Sequence, residues 1–182
     1  QWTRLMDGNP SFTVEANGFR DSDSRPVERV SWNDVQAFCC SAGLRLPTEA
    51  EWEFGYRGGT TTVFHGWSGR PGGTDAGDEI SAIAWYEGSA WGGQIVGGKS
   101  ANGFGVHDMA GNVFEWTNDW YDGYTANAQV NPTGASAGDS RVIRGGGWDA
   151  CGGPPCCRAS ARYPAPPYGF SWVIGFRVAR DP

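Results

Sequence analysis

Apolar residues in the stretch after Ser31 recur with the period of an α-helix. Val35, Phe38 and Cys39 occupy positions i, i+3 and i+4, which fall on one face of a helix. Ser31 is a residue type favoured at N-caps, and Gly43 is a residue type favoured at C-caps. We therefore predict a helix between these two residues that buries one apolar face.

A second helix is predicted directly downstream. Thr48 and Glu51 have the three-residue spacing of a capping box, in which each side chain binds the backbone amide of the other. Gly55 and Gly58 are expected to end the helix, and Trp52 is expected to point into the core. The first half of the chain therefore contributes two short helices.

The second half of the chain changes to strand patterns. Val113, Glu115 and Thr117 alternate with larger side chains, which is the period of a strand. Two further short strands are predicted in DSRVIRGGGW and VIGFRVAR, because both stretches hold β-branched and aromatic residues. The chain is therefore predicted to be an α+β protein.

Composition narrows the class of protein. Among the 182 residues are 29 glycines and 10 tryptophans but only three leucines, which favours short strands and an indole-rich core over a helix bundle. Residues 60–105 are rich in Gly, Thr and Ser, and we expect long loops there. The formal net charge of −6 argues against nucleic acid as a partner, because phosphate contacts require a basic surface.

Targeting signals are not visible in the given residues. No apolar run reaches the roughly 18 residues that a membrane span needs, and no signal-peptide pattern is present. The chain begins with Gln1 rather than Met. If the protein is exported, its signal is therefore expected in a preceding segment.

Cysteine and histidine limit the possible metal chemistry. His65 and His107 are too few for a three-histidine iron or zinc site, and no Cys-x-x-Cys zinc pattern occurs. The five cysteines are an odd number and include two adjacent pairs, which does not match a disulfide framework. Most of them are interpreted as buried, small apolar side chains.

Motifs of one known family run through most of the chain. The formylglycine-generating enzyme, or sulfatase-modifying factor, family has motifs that resemble PVERVSW, AGLRLPTEAEWEFGYRGG, NGFGVHDMAGNVFEW, RVIRGGGW and GFRVA. The resemblance implies a C-type-lectin-like fold, in which two helices pack on a small, twisted antiparallel sheet with much irregular loop. It implies one such domain over residues 1–182, with the family's earlier strands either before Gln1 or absent.

Three functional classes share this fold. The iron-dependent sulfoxide synthase of ergothioneine synthesis is excluded, because His65 and His107 cannot supply its histidine ligands. The copper-dependent oxidase that makes formylglycine uses two cysteines, and Cys151 and Cys156 have the matching gap of four residues. The pair lies one residue later than expected after the Gly-Gly motif, and Gly147 replaces the family's serine. This oxidase, or an inactive member of the family, is the alternative hypothesis.

The third class is the variable protein of a diversity-generating retroelement, whose C-terminal segment is rewritten by adenine-directed mutagenesis and binds ligand. Rewriting the adenines of AAC and AAT codons cannot produce Lys, Glu, Gln, Met or Trp, and residues 149–171 contain none of these types. We therefore predict a variable, ligand-binding segment over residues 148–173. Trp172 is the exception to the codon pattern, so a fixed position or a different codon is assumed there. Its contact residues are predicted to be Asp149, Ala150, Cys151, Gly153, Pro154, Pro155, Tyr163, Ala165, Pro166, Tyr168, Phe170, Ser171 and Trp172.

The rest of the chain, together with the fixed residues inside that segment, is called the frame and is expected to supply the stability. Arg158 and Arg162 are assigned to the frame as hydrogen-bond donors, with Asp119 as a candidate partner. The core anchors are predicted to be Trp116, Trp120, Trp148 and Phe176.

The family resemblance also implies a structural calcium loop in HDMAGNVFEW. Carried over position by position, Asp108 and Glu115 would supply side-chain oxygens, and Gly111 and Val113 would supply backbone carbonyls. Copper is implied only under the oxidase alternative. The variable-protein resemblance implies a protein or other macromolecular ligand, and display at the surface of a bacterial cell or outside it, as a lipoprotein.

Overall fold

The computed structural model describes residues 1–14, 17–67, 69–149 and 153–181. Its α-helices are α1 (Trp2–Leu5), α2 (Trp32–Ala42) and α3 (Glu49–Arg57). Its strands are β1 (Ala84–Trp85), β2 (Ala110–Gly111), β3 (Phe114–Trp120), β4 (Arg141–Arg144), β5 (Arg162–Ala165) and β6 (Ile174–Phe176). Short 3₁₀ helices span Ser22–Ser24, Gly77–Ala82 and Pro154–Cys157.

Both predicted helices are confirmed, with their predicted N-caps. Ser31 forms a capping box with Asp34 at the start of α2, and Gly43 ends that helix in the left-handed region with a φ of 65°. Helix α3 also begins with its predicted capping box, but it ends at Gly58 and includes Gly55. The residue that ends the helix is the glycine that adopts a positive φ, and Gly55 keeps helical geometry.

The main sheet has its strands in the order β5-β4-β3-β6. Strand β4 pairs antiparallel with β3, as expected of an antiparallel sheet, and also with β5, but β6 pairs parallel with β3. Strands β5 and β6 therefore run in the same direction at opposite edges, so the chain between them has to cross the sheet. Residues 166–173 make this connection and are called the crossover.

Strand β3 is covered on both faces. Phe114 and Trp116 pack in an apolar cluster with side chains of α1 and α2. Glu115 points to the other face, where Trp52 of α3 donates a hydrogen bond to its carboxylate at 2.6 Å. The alternation seen in the sequence therefore separates two buried faces rather than a buried face and an exposed one.

The predicted core anchors divide into two groups. Trp116 and Trp148 are buried, whereas Trp120 and Phe176 are only partly buried. The ring of Trp120 instead lies under the guanidinium of Arg141, 3.4 Å from its carbon to the ring centroid. Within residues 60–105 the described regular structure is limited to Gly77–Ala82 and β1, as expected of long loops.

Helix α1, the paired short strands β1 and β2, and the edge strand β5 were not predicted. Helix α1 buries Trp2, which stacks on Phe38 of α2 with ring centroids 5.2 Å apart. Among the described residues, no helix has the length and apolar character needed to cross a membrane.

Candidate functional site

The predicted ligand-binding segment, residues 148–173, folds as three connected parts. Beyond Trp148 the chain forms the 3₁₀ helix Pro154–Cys157, then strand β5, then the crossover. Ala150 and Cys151, two of the predicted contact residues, lie outside the described residues. The remaining contact residues can be placed relative to the frame.

Large aromatic side chains of the crossover are exposed. Tyr168 is 74% exposed, Phe170 is 62% exposed and Trp172 is 50% exposed. The other exposed contact residues are Asp149, Pro155 and Pro166, and the half-buried ones include Pro154 and Ser171. Aromatic side chains are enriched at protein interfaces, so the crossover has the character of a binding surface.

Gly153, Tyr163 and Ala165 depart from the predicted exposed positions. Tyr163 and Ala165 are two residues apart in β5, so both point to the same face of the sheet. Ala165 is 7% exposed and belongs to the core, and the half-buried ring of Tyr163 meets Phe114 edge-on at 5.4 Å. Gly153 is buried as well. The expected exposure is wrong for Tyr163 and Ala165 because β5 is a strand, which turns alternate side chains inward, and their contact with ligand stays a prediction.

Backbone hydrogen bonds hold the crossover to the frame. Amides of the frame donate to carbonyls of the crossover, and the joined pairs are Asn33 to Pro167 (3.2 Å), Arg29 to Ser171 (3.1 Å) and Phe114 to Val173 (2.7 Å). Such bonds depend on the path of the backbone and not on the side chains that the crossover carries. The crossover can therefore keep its path while the side chains at 168, 170 and 172 change.

The crossover and the frame together enclose a groove of about 370 Å³. Its lining residues are Phe170, Ser171 and Trp172 from the crossover and Phe12 and Arg29 from the frame. The ring centroids of Phe12 and Trp172 lie 6.1 Å apart. Sequence reasoning misses Phe12 and Arg29, because no local pattern signals that residues near the start of the chain meet residues near its end.

Arg162 acts as a frame residue inside the segment, as predicted, but its partner is not Asp119. Nε and Nη2 of Arg162 donate to the two carboxylate oxygens of Glu49 at 2.7 and 2.6 Å. Asp119 instead accepts a hydrogen bond from the backbone amide of Glu49 at 2.8 Å, and burial raises the pKa of Asp119. The fully buried Arg144 also pairs with Glu49, whereas Arg158 is exposed.

A second hollow, of about 780 Å³, lies between α3, the end of β3 and residues 121–135. Its carboxylates Glu49 and Glu53 form ion pairs with Arg162 and Arg57, respectively. Of the described residues that line it, Arg162 alone belongs to the predicted ligand-binding segment. This hollow is therefore a feature of the frame.

The side chains expected to bind calcium have other partners. Both carboxylate oxygens of Glu115 accept hydrogen bonds from Arg177, at 2.6 and 2.7 Å, and Trp52 donates to one of them. One carboxylate oxygen of Asp108 accepts from the amide of Gly97 at 2.6 Å, and the other is buried without a hydrogen-bond partner among the described residues. The part of the chain that the structure describes holds no group of three or more His, Cys, Asp or Glu side chains placed for a metal ion.

These contacts do not fit a calcium ion at Glu115, because the guanidinium of Arg177 already neutralises the carboxylate. Gly111 and Val113, the expected backbone ligands, are buried. Calcium binding stays a prediction, and the position of Arg177 argues against it.

The alternative catalytic pair is described only in part. Cys156 is 1% exposed and packs in the same core cluster as Ala165. Cys157 is buried in a second cluster, where the hydroxyl of Tyr56 donates to the carbonyl of Cys157 at 2.5 Å. Cys151 lies outside the described residues, so the copper-binding geometry of Cys151 and Cys156 stays a prediction.

Sequence comparison identifies relatives of two kinds. The family model described as "Sulfatase-modifying factor enzyme 1-like domain" matches residues 1–182. A formylglycine-generating enzyme of Streptomyces coelicolor is 35% identical over 199 residues, covering 99% of this chain and 58% of that protein. An inactive C-alpha-formylglycine-generating enzyme 2 of Bos taurus is 32% identical over 179 residues, covering 90% of this chain and 52% of that protein. The chain therefore spans little more than half the length of these relatives.

Structural comparison adds a relative of a third kind. Treponema denticola variable protein 1 matches with a TM-score of 0.85 and 26% sequence identity, covering 100% of this chain and 80% of that one. Proteins named as an enzyme, as an inactive enzyme and as a variable protein are thus all similar to this chain. The match over residues 1–182 shows what they have in common with it: the chain belongs to the sulfatase-modifying factor family, with its C-type-lectin-like α+β fold.

Proposed function

We propose that this protein is a ligand-binding variable protein of a diversity-generating retroelement, which presents residues 148–173 as a rewritable surface on a fixed frame. The observation that carries the proposal is the exposure of Tyr168, Phe170 and Trp172 on a crossover whose backbone is bound to the frame. The likeness to Treponema denticola variable protein 1 over the whole chain supports it.

A surface that is rewritten has to contribute little to folding. Replacing a surface side chain typically changes the free energy of unfolding by no more than about 0.5 kcal/mol. The exposed aromatic residues of the crossover meet this condition, and the backbone bonds from the frame do not depend on them. Tyr163 and Ala165 contribute to the core, so we assign them to the frame.

We propose a protein or another macromolecule as the ligand. Tyr, Phe and Trp give a large contact area at a low cost in conformational entropy, because each has few rotatable bonds. Pro164, Pro166 and Pro167 restrict the unbound backbone, which reduces the entropy lost on binding. The net charge of −6 disfavours nucleic acid.

We also propose that the protein is displayed at the cell surface or outside the cell, as a lipoprotein, because a rewritable binding surface is useful where it meets external partners. Protease treatment of intact cells tests the location, and metabolic labelling with palmitate tests the lipid anchor. Recovery of the protein only from the cytosol, without label, would contradict both parts.

The coding locus provides the experiment that tests the proposed function. A near-copy of the 3′ coding segment should lie beside a reverse-transcriptase gene, with adenines at the codons of the exposed contact residues. Sibling sequences should differ at Tyr168 and Phe170 and agree at Trp148 and Arg162. A locus that has neither the near-copy nor the reverse transcriptase would exclude the retroelement.

The copper-dependent oxidase is the second candidate. It is favoured by the spacing of Cys151 and Cys156 and by the relatives named formylglycine-generating enzyme. The burial of Cys156 counts against it, because a peptide substrate would have to reach the metal. Titration with copper(I) and incubation with a Cys-x-Pro-x-Arg peptide test it, with Cys156→Ser as the control. Conversion that is lost in Cys156→Ser would favour the oxidase, and absence of both copper binding and conversion would exclude it.

A further inference from the structure

The groove has one wall from the frame and one wall from the crossover. Phe170, Ser171 and Trp172 form the crossover wall, and Phe12 and Arg29 form the frame wall. Under the proposed function Phe170 and Ser171 of the crossover wall change between siblings. The frame wall lies outside the rewritable segment, so it stays the same whichever residues the crossover carries.

Glu28 fixes the position of the frame wall. Its buried Oε1 accepts hydrogen bonds from the amide and the hydroxyl of Thr13, at 2.8 and 3.0 Å, and its own amide donates to the hydroxyl of Ser11 at 3.2 Å. These bonds hold the residues on either side of Phe12. Arg29 follows Glu28 directly, and its backbone is in the left-handed region with a φ of 60°. A wall held in this way is preorganised, which lowers the entropy lost when a ligand binds.

Arg29 gives this wall a positive charge. Among the described residues that line the groove, it is the only charged one. Its side chain is exposed and has no ion pair with any described residue. The neighbouring carboxylate of Glu28 is buried and bonded to Thr13, and it attracts Arg29 without forming an ion pair with it. Arg162 and Arg177, by contrast, are neutralised by carboxylates, so the charge of Arg29 is available to an incoming anion.

We propose that the groove binds an acidic peptide segment of a protein partner, in which an aromatic or aliphatic side chain stands next to an Asp or Glu. The apolar side chain packs against the rings of Phe12, Phe170 and Trp172, and the carboxylate pairs with Arg29. A volume of about 370 Å³ is at the small end of the range for ligand pockets and suits one large side chain with its adjoining backbone.

This assignment rests on the proposed function, because it takes the crossover as the ligand-binding surface. It adds a constant element to that surface. Whatever residues occupy positions 170–172, Arg29 gives each sibling the same preference for an acidic segment, while the crossover sets which apolar side chain fits.

Two blocked tetrapeptides test the charge preference: acetyl-Gly-Phe-Asp-Gly-amide and its neutral match, acetyl-Gly-Phe-Asn-Gly-amide. The indole N–H of Trp172, assigned with Trp172→Phe, reports binding in ¹H–¹⁵N spectra. The Asp peptide should bind about two- to fivefold more tightly than the Asn peptide, as expected for one exposed charge pair, and added salt should reduce the difference. Equal affinity at low salt, or no shift with either peptide, would overturn the proposal.

Substitutions at Arg29 show whether this residue is the source of the preference. Arg29→Gln should bind both peptides equally, and Arg29→Lys should keep the preference for the Asp peptide. Arg180 is an exposed arginine that does not line the groove, so Arg180→Gln is the matched control and should keep the preference. Melting curves establish that each variant is folded. A preference that persists in Arg29→Gln, or that is lost in Arg180→Gln, would place the carboxylate elsewhere and overturn the assignment.

Failure of the groove preference and failure of the proposed function give different results. A display library randomised at Tyr168, Phe170 and Trp172 tests the rewritable surface against protein targets. If the library yields binders and the Asp and Asn peptides bind alike, the preference is wrong and the proposed function is unaffected. If the peptides discriminate through Arg29 and the library yields no binders, the groove assignment holds and the rewritable surface is contradicted.

Discussion

The backbone amide of Arg29 donates a hydrogen bond to the carbonyl of Ser171 at 3.1 Å. Arg29 belongs to the frame and Ser171 to the crossover, so this bond joins the constant and the rewritable parts of the protein. Similar bonds from the frame reach the carbonyls of Pro167 and Val173. Because these bonds involve no crossover side chain, we infer that the frame sets the path of the crossover.

Trp148, at the start of the segment, is expected to behave as part of the frame. It is buried, its ring lies 5.2 Å from that of Trp91, and its amide donates to the carbonyl of Asn112 at 2.9 Å. Trp148→Ala should therefore lower the free energy of unfolding by about 3–5 kcal/mol. Tyr168→Ala should lower it by no more than about 0.5 kcal/mol, because the side chain is exposed. Urea denaturation measures both values, and similar losses in the two variants would show that Trp148 is not an anchor.

Arg162 is also predicted to be essential for stability, although it lies inside the segment. Arg162→Ala removes the two hydrogen bonds to the buried carboxylate of Glu49, which Arg144 still neutralises, and should lower the free energy of unfolding by about 1.5–3 kcal/mol. Arg45 pairs with Glu51 at the surface, so Arg45→Ala serves as the control and should lose about 1 kcal/mol or less. A loss for Arg162→Ala as small as that of the control would mean that the pair does not anchor β5.

Glu28 should make the stability depend on pH. Burial raises the pKa of its carboxyl above the ordinary value of 4.5, and hydrogen bonds from Thr13 offset this only in part. As the pH rises past 4.5, the unfolded chain releases this proton before the folded protein does, so the free energy of unfolding decreases. Glu28→Gln removes this titration, and its stability relative to the parent should improve as the pH rises from about 4 to 7.

A second variant, at Thr13, tests the same dependence of stability on pH by strengthening it. The hydrogen bonds from Thr13 lower the pKa of Glu28, so Thr13→Val should raise that pKa further and steepen the decrease in stability with pH. Urea midpoints at a series of pH values measure both variants. If the effect of Glu28→Gln is the same at every pH, the pKa of Glu28 is not raised in the folded protein.

Chelation tests the calcium prediction. The carboxylate of Glu115 is neutralised by Arg177, so excess EDTA or added calcium should shift the melting temperature by less than about 1 °C. A bound ion would stabilise the folded state by mass action and raise the melting temperature with its concentration. A rise of several degrees in calcium, reversed by EDTA, would therefore establish the family's calcium site and require Arg177 to move from Glu115.

Local signals in the sequence were sufficient to predict α2 and α3. The caps of α2 and α3 rest on Ser31 with Asp34 and on Thr48 with Glu51, pairs only three residues apart. Strand β5 was not predicted because it contains Pro164, and proline is rare within central strands. It is tolerated here because β5 is an edge strand, where a residue without an N–H need not complete a second ladder.

Contacts between distant parts of the chain could not be predicted in the same way. Arg162 pairs with Glu49 rather than Asp119, although both acids lie near it, and only the packing of α3 on the sheet decides between them. Phe12 and Arg29 reach the crossover because Glu28 and its neighbours anchor the early chain beside β6. No residue pattern near Phe12 predicts that contact, so the frame wall of the groove could be identified only from the structure.

The measurement that tests the role of the frame most directly is the free energy of unfolding of a variant with Tyr168→Ser, Phe170→Ser and Trp172→Ser combined. If backbone bonds from the frame hold the crossover, the triple variant should remain within about 1.5 kcal/mol of the parent, because each replaced residue is at least half exposed. A loss of more than about 3 kcal/mol, in the range seen for buried aromatic residues, would show that these side chains support the fold and would contradict a rewritable surface.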